Sequence, residues 1–288
     1  MFIPFHDDNP VRRVPFVTIA VIVANVVTFL LVHVFIGGED PQGLRVRTIL
    51  HRYGFLPARI HQVFDGNPQP IVLDMFPDAD QLRKIGEVVP RLEDRTIILR
   101  PDAGELAISL ITSLFLHGGV MHLLSNMWFF WIFGNNIEDR LGHMTFAMFY
   151  IFGGVVASVC HWLMVGPDGG TVPVIGASGA VAVILGAYAI TYPFARVRTL
   201  IFLFIFLTVI ELPALVVLGV WFMGQLLEGF GHMHLGISGG VAWWAHIGGF
   251  ALGLLSMPLL AAGTPDPTED WEYEARQQFD FGDRRPDH

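Results

Sequence analysis

Charge is scarce in this chain: Asp, Glu, Lys and Arg make up only 15% of its 288 residues. A soluble domain carries roughly 25%. With 53% hydrophobic residues and a mean hydropathy of +0.54, the shortage excludes an ordinary soluble domain and points to a polytopic membrane protein. Cysteine is scarcer still. The single Cys160, inside an apolar run, excludes an intrachain disulfide and a cysteine metal site. There is no H-E-x-x-H, and the histidines, His232 and His234 included, form no convincing metal set, so neither a metal nor another cofactor is expected. Positive charge is in deficit too. The net charge of −9 comes largely from the tail and the first long loop and argues against a nucleic-acid partner.

What the chain does have is apolar runs of membrane length, about 20 residues each. The expected fold is an all-α polytopic bundle of six transmembrane helices with a small extramembrane insertion between the first two. The first span is Phe16 to Ile36, with Pro15 suited to its first turn and Gly37-Gly38 to its end. It follows Arg12 and Arg13 in the manner of a signal peptide, but it is too long for one and no small-x-small cleavage site follows, so a retained helix is expected after an N-terminal tail, 1–15. Residues 37–105 form the insertion, with nine of the seventeen basic residues. Within it Asp80 to Val89 has the pattern of an amphipathic helix, 71–73 and 96–99 have weak strand character, and Arg59 to Phe64 suits a membrane interface. The core, 106–262, holds spans at about Gly119–Ile137, Met144–Val165, Ser178–Tyr192, Leu212–Leu227 and Gly240–Leu260. The fourth of the six is short, and Leu200 to Ile210 is an apolar stretch of interfacial or re-entrant type. The tail, 263–288, is acidic, Pro-rich and of disordered composition.

Six spans with a cytoplasmic N-terminus place Arg12, Arg13, Arg140, Arg196, Arg198 and the tail inside. Loops 166–177 and 228–239, which contain no Lys or Arg, then lie outside. The expected location is the cell (cytoplasmic) membrane, with Ser178 opening a helix on the outer side, below the membrane surface.

Polar groups are expensive in such segments, and a few stand out. Ser178 sits in Gly176-Ala-Ser-Gly179, where glycines allow a tight turn and close backbone approach. Position 180 is Ala, so this is not the G-x-S-x-G elbow. Alone, the serine is more simply a packing residue. His246 lies inside the sixth span, beside the small face Gly249/Gly253. That spacing lets another helix approach, and Ser178, Ala182 and Gly186 form a matching stripe. If the stripes meet, hydroxyl and imidazole come within reach and a Ser–His dyad follows, with histidine as general base. No intramembrane Asp or Glu is present to complete a triad. His122 and Asn126, four apart on one face of the second span, suit donation to an oxyanion, together with the Ser178 N–H; the plainer alternative is interhelical hydrogen bonding. Glu138 and Arg140, which close the second span, and His117 before it read as structural.

Together His122-x-x-x-Asn126, Glu138-x-Arg140, Gly176-x-Ser178-Gly179 and Ala245-His246-x-x-Gly249-x-x-x-Gly253 resemble the rhomboid family of intramembrane serine proteases. The resemblance covers roughly 105–260, and it is specific because the motifs fall in order on successive spans. It implies a water-filled cavity open to the outside, Ser178 as nucleophile, His246 as base, and His122, Asn126 and the Ser178 N–H as oxyanion donors. It further implies His117 and the Glu138/Arg140 pair as structural residues, the fifth helix as a lateral gate, and single-pass membrane proteins as substrates. The sequence departs from the family pattern at Ala182, where many bacterial members carry a tyrosine supporting the histidine, and in its long first loop, which has no tryptophan. The rival from another class is a rhomboid-like pseudoprotease that binds membrane clients; such relatives lack the serine or histidine, and both are present here. A transporter is weaker, because the core shows neither charged nor repeated intramembrane groups.

Overall fold

The computed structural model describes residues 2–38, 40, 43–65, 68–76, 84, 91–166, 170–203, 206–235 and 241–262. The amphipathic stretch expected over Asp80–Val89, apart from Lys84, and the tail 263–288 lie outside the described residues.

The chain is mostly helical. Helix α1 spans Phe16–Leu30 and continues as a π-helical segment, Leu31–Ile36. After α2 (Leu44–Tyr53) and α3 (Ala58–Phe64) come two strands, β2 (Ile71–Asp74) and β3 (Thr96–Leu99), the latter after a single helical turn at Leu92–Arg95. Helix α4 (Ala103–Thr112) starts on an Asp102 cap, whose carboxylate accepts from the Glu105 N–H at 2.8 Å. Then follow α5 (Val120–Leu141), α6 (His143–Val165), α7 (Ser178–Thr191), α8 (Ala214–Leu235) and α9 (Trp243–Leu260).

Among the described residues, four stretches are long and apolar enough to cross a membrane: Phe16–Ile36, His143–Val165, Ala214–Met233 and Trp243–Leu260. Ala103–Phe115 and Val120–Leu141, bent by 80° at the break between them, qualify together as a fifth. Large apolar side chains such as Phe35, Met121, Phe152 and Leu259 are outward and exposed, as expected where the solvent is lipid.

Helix α7 is the exception: every residue from Gly179 to Ala189 is buried. Lipid chains are as apolar as leucine, so helices in a bilayer adhere through close packing, which small residues permit. That is what α7 and α9 do. A Cβ on Gly186 would collide with the Phe250 carbonyl, one on Gly253 with the Val183 carbonyl, and one on Gly249 would lie 2.6 Å from the Gly179 oxygen. The two small stripes therefore meet backbone to backbone.

The strictly all-α expectation is corrected. Strand β1 (Phe2–Asp7) pairs antiparallel with β4 (Arg196–Leu203), and β4 with β5 (Phe206–Pro213), giving the order β1-β4-β5. The N-terminal residues, expected as a tail, are thus ordered along α5: Trp128 Nε1 donates to the Pro4 carbonyl at 2.7 Å and Asn136 to the Asp7 carboxylate at 2.8 Å. Within the expected apolar stretch, Leu200–Leu203 belongs to β4 and Phe206–Ile210 to β5. These β-branched and apolar residues, cut by Glu211 and Pro213, suit a paired strand better than a helix.

Between α1 and α4 a separate small core forms from Leu56, Leu73, Met75, Phe76 and Leu99. The weak strand signals are real strands here, β2 and β3, paired from Ile71↔Leu99 to Asp74↔Thr96. Arg59, expected at an interface, is fully buried and bonds Glu105 at 2.9 Å. This unit touches the core through Phe55, which exchanges two backbone hydrogen bonds with Val174 (3.1 and 2.8 Å), just before Ser178.

Candidate active site

Ser178 is the first residue of α7, so its N–H lies in a helical turn whose N–H groups have no intrahelical acceptor. The turn before it needs Gly176, which has a φ of 113°, a conformation costly for any residue with a side chain. A Cβ there would also stand 2.7 Å from His122 Nε2 and 3.6 Å from Asn126 Nδ2. His246 comes from α9, one turn before the small stripe that locks α9 onto α7. Its Nε2 lies 2.8 Å from Ser178 Oγ. Its Nδ1 lies 2.6 Å from Gln225 Oε1 on α8. The indoles of Trp221 and Trp243 flank the imidazole, each with its ring centroid 6.1 Å away.

These groups line a cavity of about 640 Å³, with His122, Asn126, His161, Val174 and Trp244 also in its wall. Asn126 donates one amide hydrogen to the carbonyl of His122 at 2.9 Å, which leaves a second for another acceptor. His122 packs edge-on against His117, with ring centroids 5.0 Å apart. His117 is buried; its carbonyl accepts from His33 Nε2 at 2.8 Å, tying the end of the first span to the approach to α5.

A serine hydroxyl hydrogen-bonded to an imidazole, beside N–H donors and in a cavity, is the arrangement acyl transfer requires. The motifs that build it occupy one continuous part of the chain, and a family profile described as the Rhomboid domain matches residues 105–263. The chain belongs to the rhomboid family. Among similar proteins, presenilin-associated rhomboid-like protein A, mitochondrial, of Danio rerio is 28% identical over 160 residues, 54% of this chain and 38% of the relative. The Mus musculus presenilin-associated rhomboid-like protein, mitochondrial, is 31% identical over 122 residues (41% and 32%). RHOMBOID-like protein 6, mitochondrial, of Arabidopsis thaliana is 28% identical over 176 residues (59% and 49%). The matches thus span only a third to a half of these rhomboid relatives' own length.

The expected location in the cell membrane is corrected by these comparisons. The three relatives are named as mitochondrial, which points away from a cell membrane; the multi-pass character stands. Composition and loop charge could not have separated these membranes, since both select for apolar spans.

Glu138, expected with Arg140 as a structural residue, meets the start of the first span. Its buried carboxylate accepts from the N–H groups of Val17 (2.8 Å) and Thr18 (2.7 Å), from the Thr18 hydroxyl (2.7 Å) and from His143 Nδ1 (2.6 Å). It therefore caps the start of α1, where a negative charge meets the positive end of the helix. Gln225 escaped the sequence reading altogether. The signal was there: it is an uncharged but strongly polar amide inside an apolar run.

Proposed function

We propose that this rhomboid chain is an intramembrane serine endopeptidase that cleaves single-pass membrane proteins in or near their spans. The observation that carries the reading is the 2.8 Å contact between His246 Nε2 and Ser178 Oγ at the wall of a cavity. Ser178 Oγ attacks the scissile carbonyl while His246 Nε2 takes its proton. The tetrahedral oxyanion is met by the Ser178 N–H, the Asn126 amide and a His122 ring nitrogen. His246 then returns the proton to the leaving amine, and water in the cavity hydrolyses the acyl-enzyme.

The proposed arrangement has six crossings: the four long helices, the bent pair, and α7. Helix α7 has 14 residues, about 21 Å at ~1.5 Å per residue. That is shorter than a hydrocarbon core of about 30 Å. Ser178 would accordingly sit below the membrane surface, in the cavity. A substrate span must leave helical hydrogen bonding there before its carbonyl is attacked, so helix-weakening residues should favour cleavage.

The test is proteolysis of a model single-span substrate by purified protein in liposomes, beside Ser178→Ala and His246→Ala. Cleavage by the parent and by neither variant is the expected result. Equal cleavage by all three would sink the dyad, and binding without cleavage across several substrates would replace the protease with a client-binding protein.

A further inference from the structure

For His246 to act as a base, the lone pair of Nε2 must face the serine, so the proton of the neutral ring must be on Nδ1. Imidazole alone does not enforce that tautomer; an acceptor at Nδ1 does. Ala182, whose methyl lies against Gly249, offers none, and nor do the flanking Trp221 and Trp243 rings. The ionisable neighbours are His122 on α5 and His161 on α6, with Glu228 and His232 of α8 beyond Trp243. The partner that Nδ1 does have is Gln225 Oε1, at 2.6 Å.

We propose that Gln225 is the positioning residue of this site: its side-chain oxygen holds the Nδ1–H tautomer of His246 and aims Nε2 at Ser178. The inference rests on the protease reading above and adds a third member to its dyad. An amide suits the place. A carboxylate would do the same orienting but would carry a full charge inside a span, which is expensive. Gln225 also comes from a helix other than those bearing the serine and the histidine, so the geometry of the base depends on where α8 sits.

The experiment compares the full-length protein with Gln225→Met, which keeps the side-chain length and removes the carbonyl, and Gln225→Glu, which keeps an acceptor. Substrate cleavage in liposomes gives kcat and KM. The ¹⁵N spectrum of labelled histidine gives the tautomer of His246 without turnover. In Gln225→Met, kcat should fall about 10- to 100-fold with KM within about twofold. The Nδ1–H signature should be lost with it. Gln225→Glu should keep that signature and recover kcat to within about tenfold of the parent. Parental kcat and an unchanged tautomer in Gln225→Met would overturn the assignment. So would equal impairment of both variants, which is the mark of a packing role. A parent that cleaves nothing but shows the Nδ1–H form, lost in Gln225→Met, would sink the protease reading and leave the Gln225 contact standing.

Discussion

Helix α7 carries a polar chain near each end, and the two are built from the same kinds of parts. At one end Ser178, His246 and Gln225 link a hydroxyl, a titratable group and an amide. At the other Tyr188, Asp7 and Asn136 do the same: the tyrosine hydroxyl and the asparagine amide both donate to Asp7 Oδ2, at 2.7 and 2.8 Å. The difference is access. The serine chain lines the cavity; Asp7, Tyr188 and Asn136 are all buried. A hydrogen-bonded trio is therefore no evidence of catalysis by itself. The same chemistry, closed off, ties strand β1 to the bundle.

The largest effects should separate the two ends cleanly. Ser178→Ala should lower cleavage by on the order of 10³-fold or more while the thermal unfolding midpoint in detergent stays within a few degrees. A variant that loses activity by losing the fold would erase the distinction. Next comes the contact that aligns the ends. Gly253→Val forces a side chain into the Val183 carbonyl, and overpacking typically costs about 1–3 kcal/mol, more where backbone is hit. Both stability and cleavage should fall, since the His246–Ser178 distance depends on this seam. Normal cleavage by a well-folded Gly253→Val protein would show the seam to be slack.

How much of this was legible in the sequence follows the same line. Ser178, His246, Gly249 and Gly253 could be found because polar or small residues in a membrane run have few reasons to be there. Their spacing could also be matched from helix to helix. The closed end was illegible. Asp7 ends a short segment, Phe2–Asp7, whose few apolar residues are interrupted by Pro4 and make too short a run to show a period, and its partners Tyr188 and Asn136 are 181 and 129 residues away. Strand β1 exists because β4 offers it an edge, a long-range fact that no local pattern carries. Arg59 misled for a similar reason: an arginine beside apolar residues suggests an interface, yet Glu105 supplies the partner that lets it be buried.

A smaller effect concerns pH. Burial pushes the Asp7 carboxyl up from 3.8 to about 6, against the hydrogen bond from Tyr188. The folded protein thus favours the protonated acid. Asp7 contributes most below about pH 4, and that contribution is lost as pH rises through 6, up to about 3 kcal/mol. Asp7→Asn cannot ionise, so its unfolding midpoint should gain on the parent's between pH 4 and 6 and then run parallel. Parallel curves throughout would mean that Asp7 titrates alike folded and unfolded.

The smallest effect tests the closed chain itself. Tyr188→Phe removes one donor to Asp7 and the acceptor for Asn9 Nδ2, leaving Asn136 still bonded to the carboxylate. Losing such a bond typically costs about 1–2 kcal/mol. The lost donor also favoured the ionised form, so above pH 6 the cost should be larger than at pH 4, where a protonated Asp7 needs it less. In combination with Asp7→Asn the two losses should not add, because each variant already breaks part of one network. Cleavage by Tyr188→Phe should equal the parent's. If it fell as far as in Gln225→Met, the two ends of α7 would be coupled, and the closed chain would be part of the catalytic machinery after all.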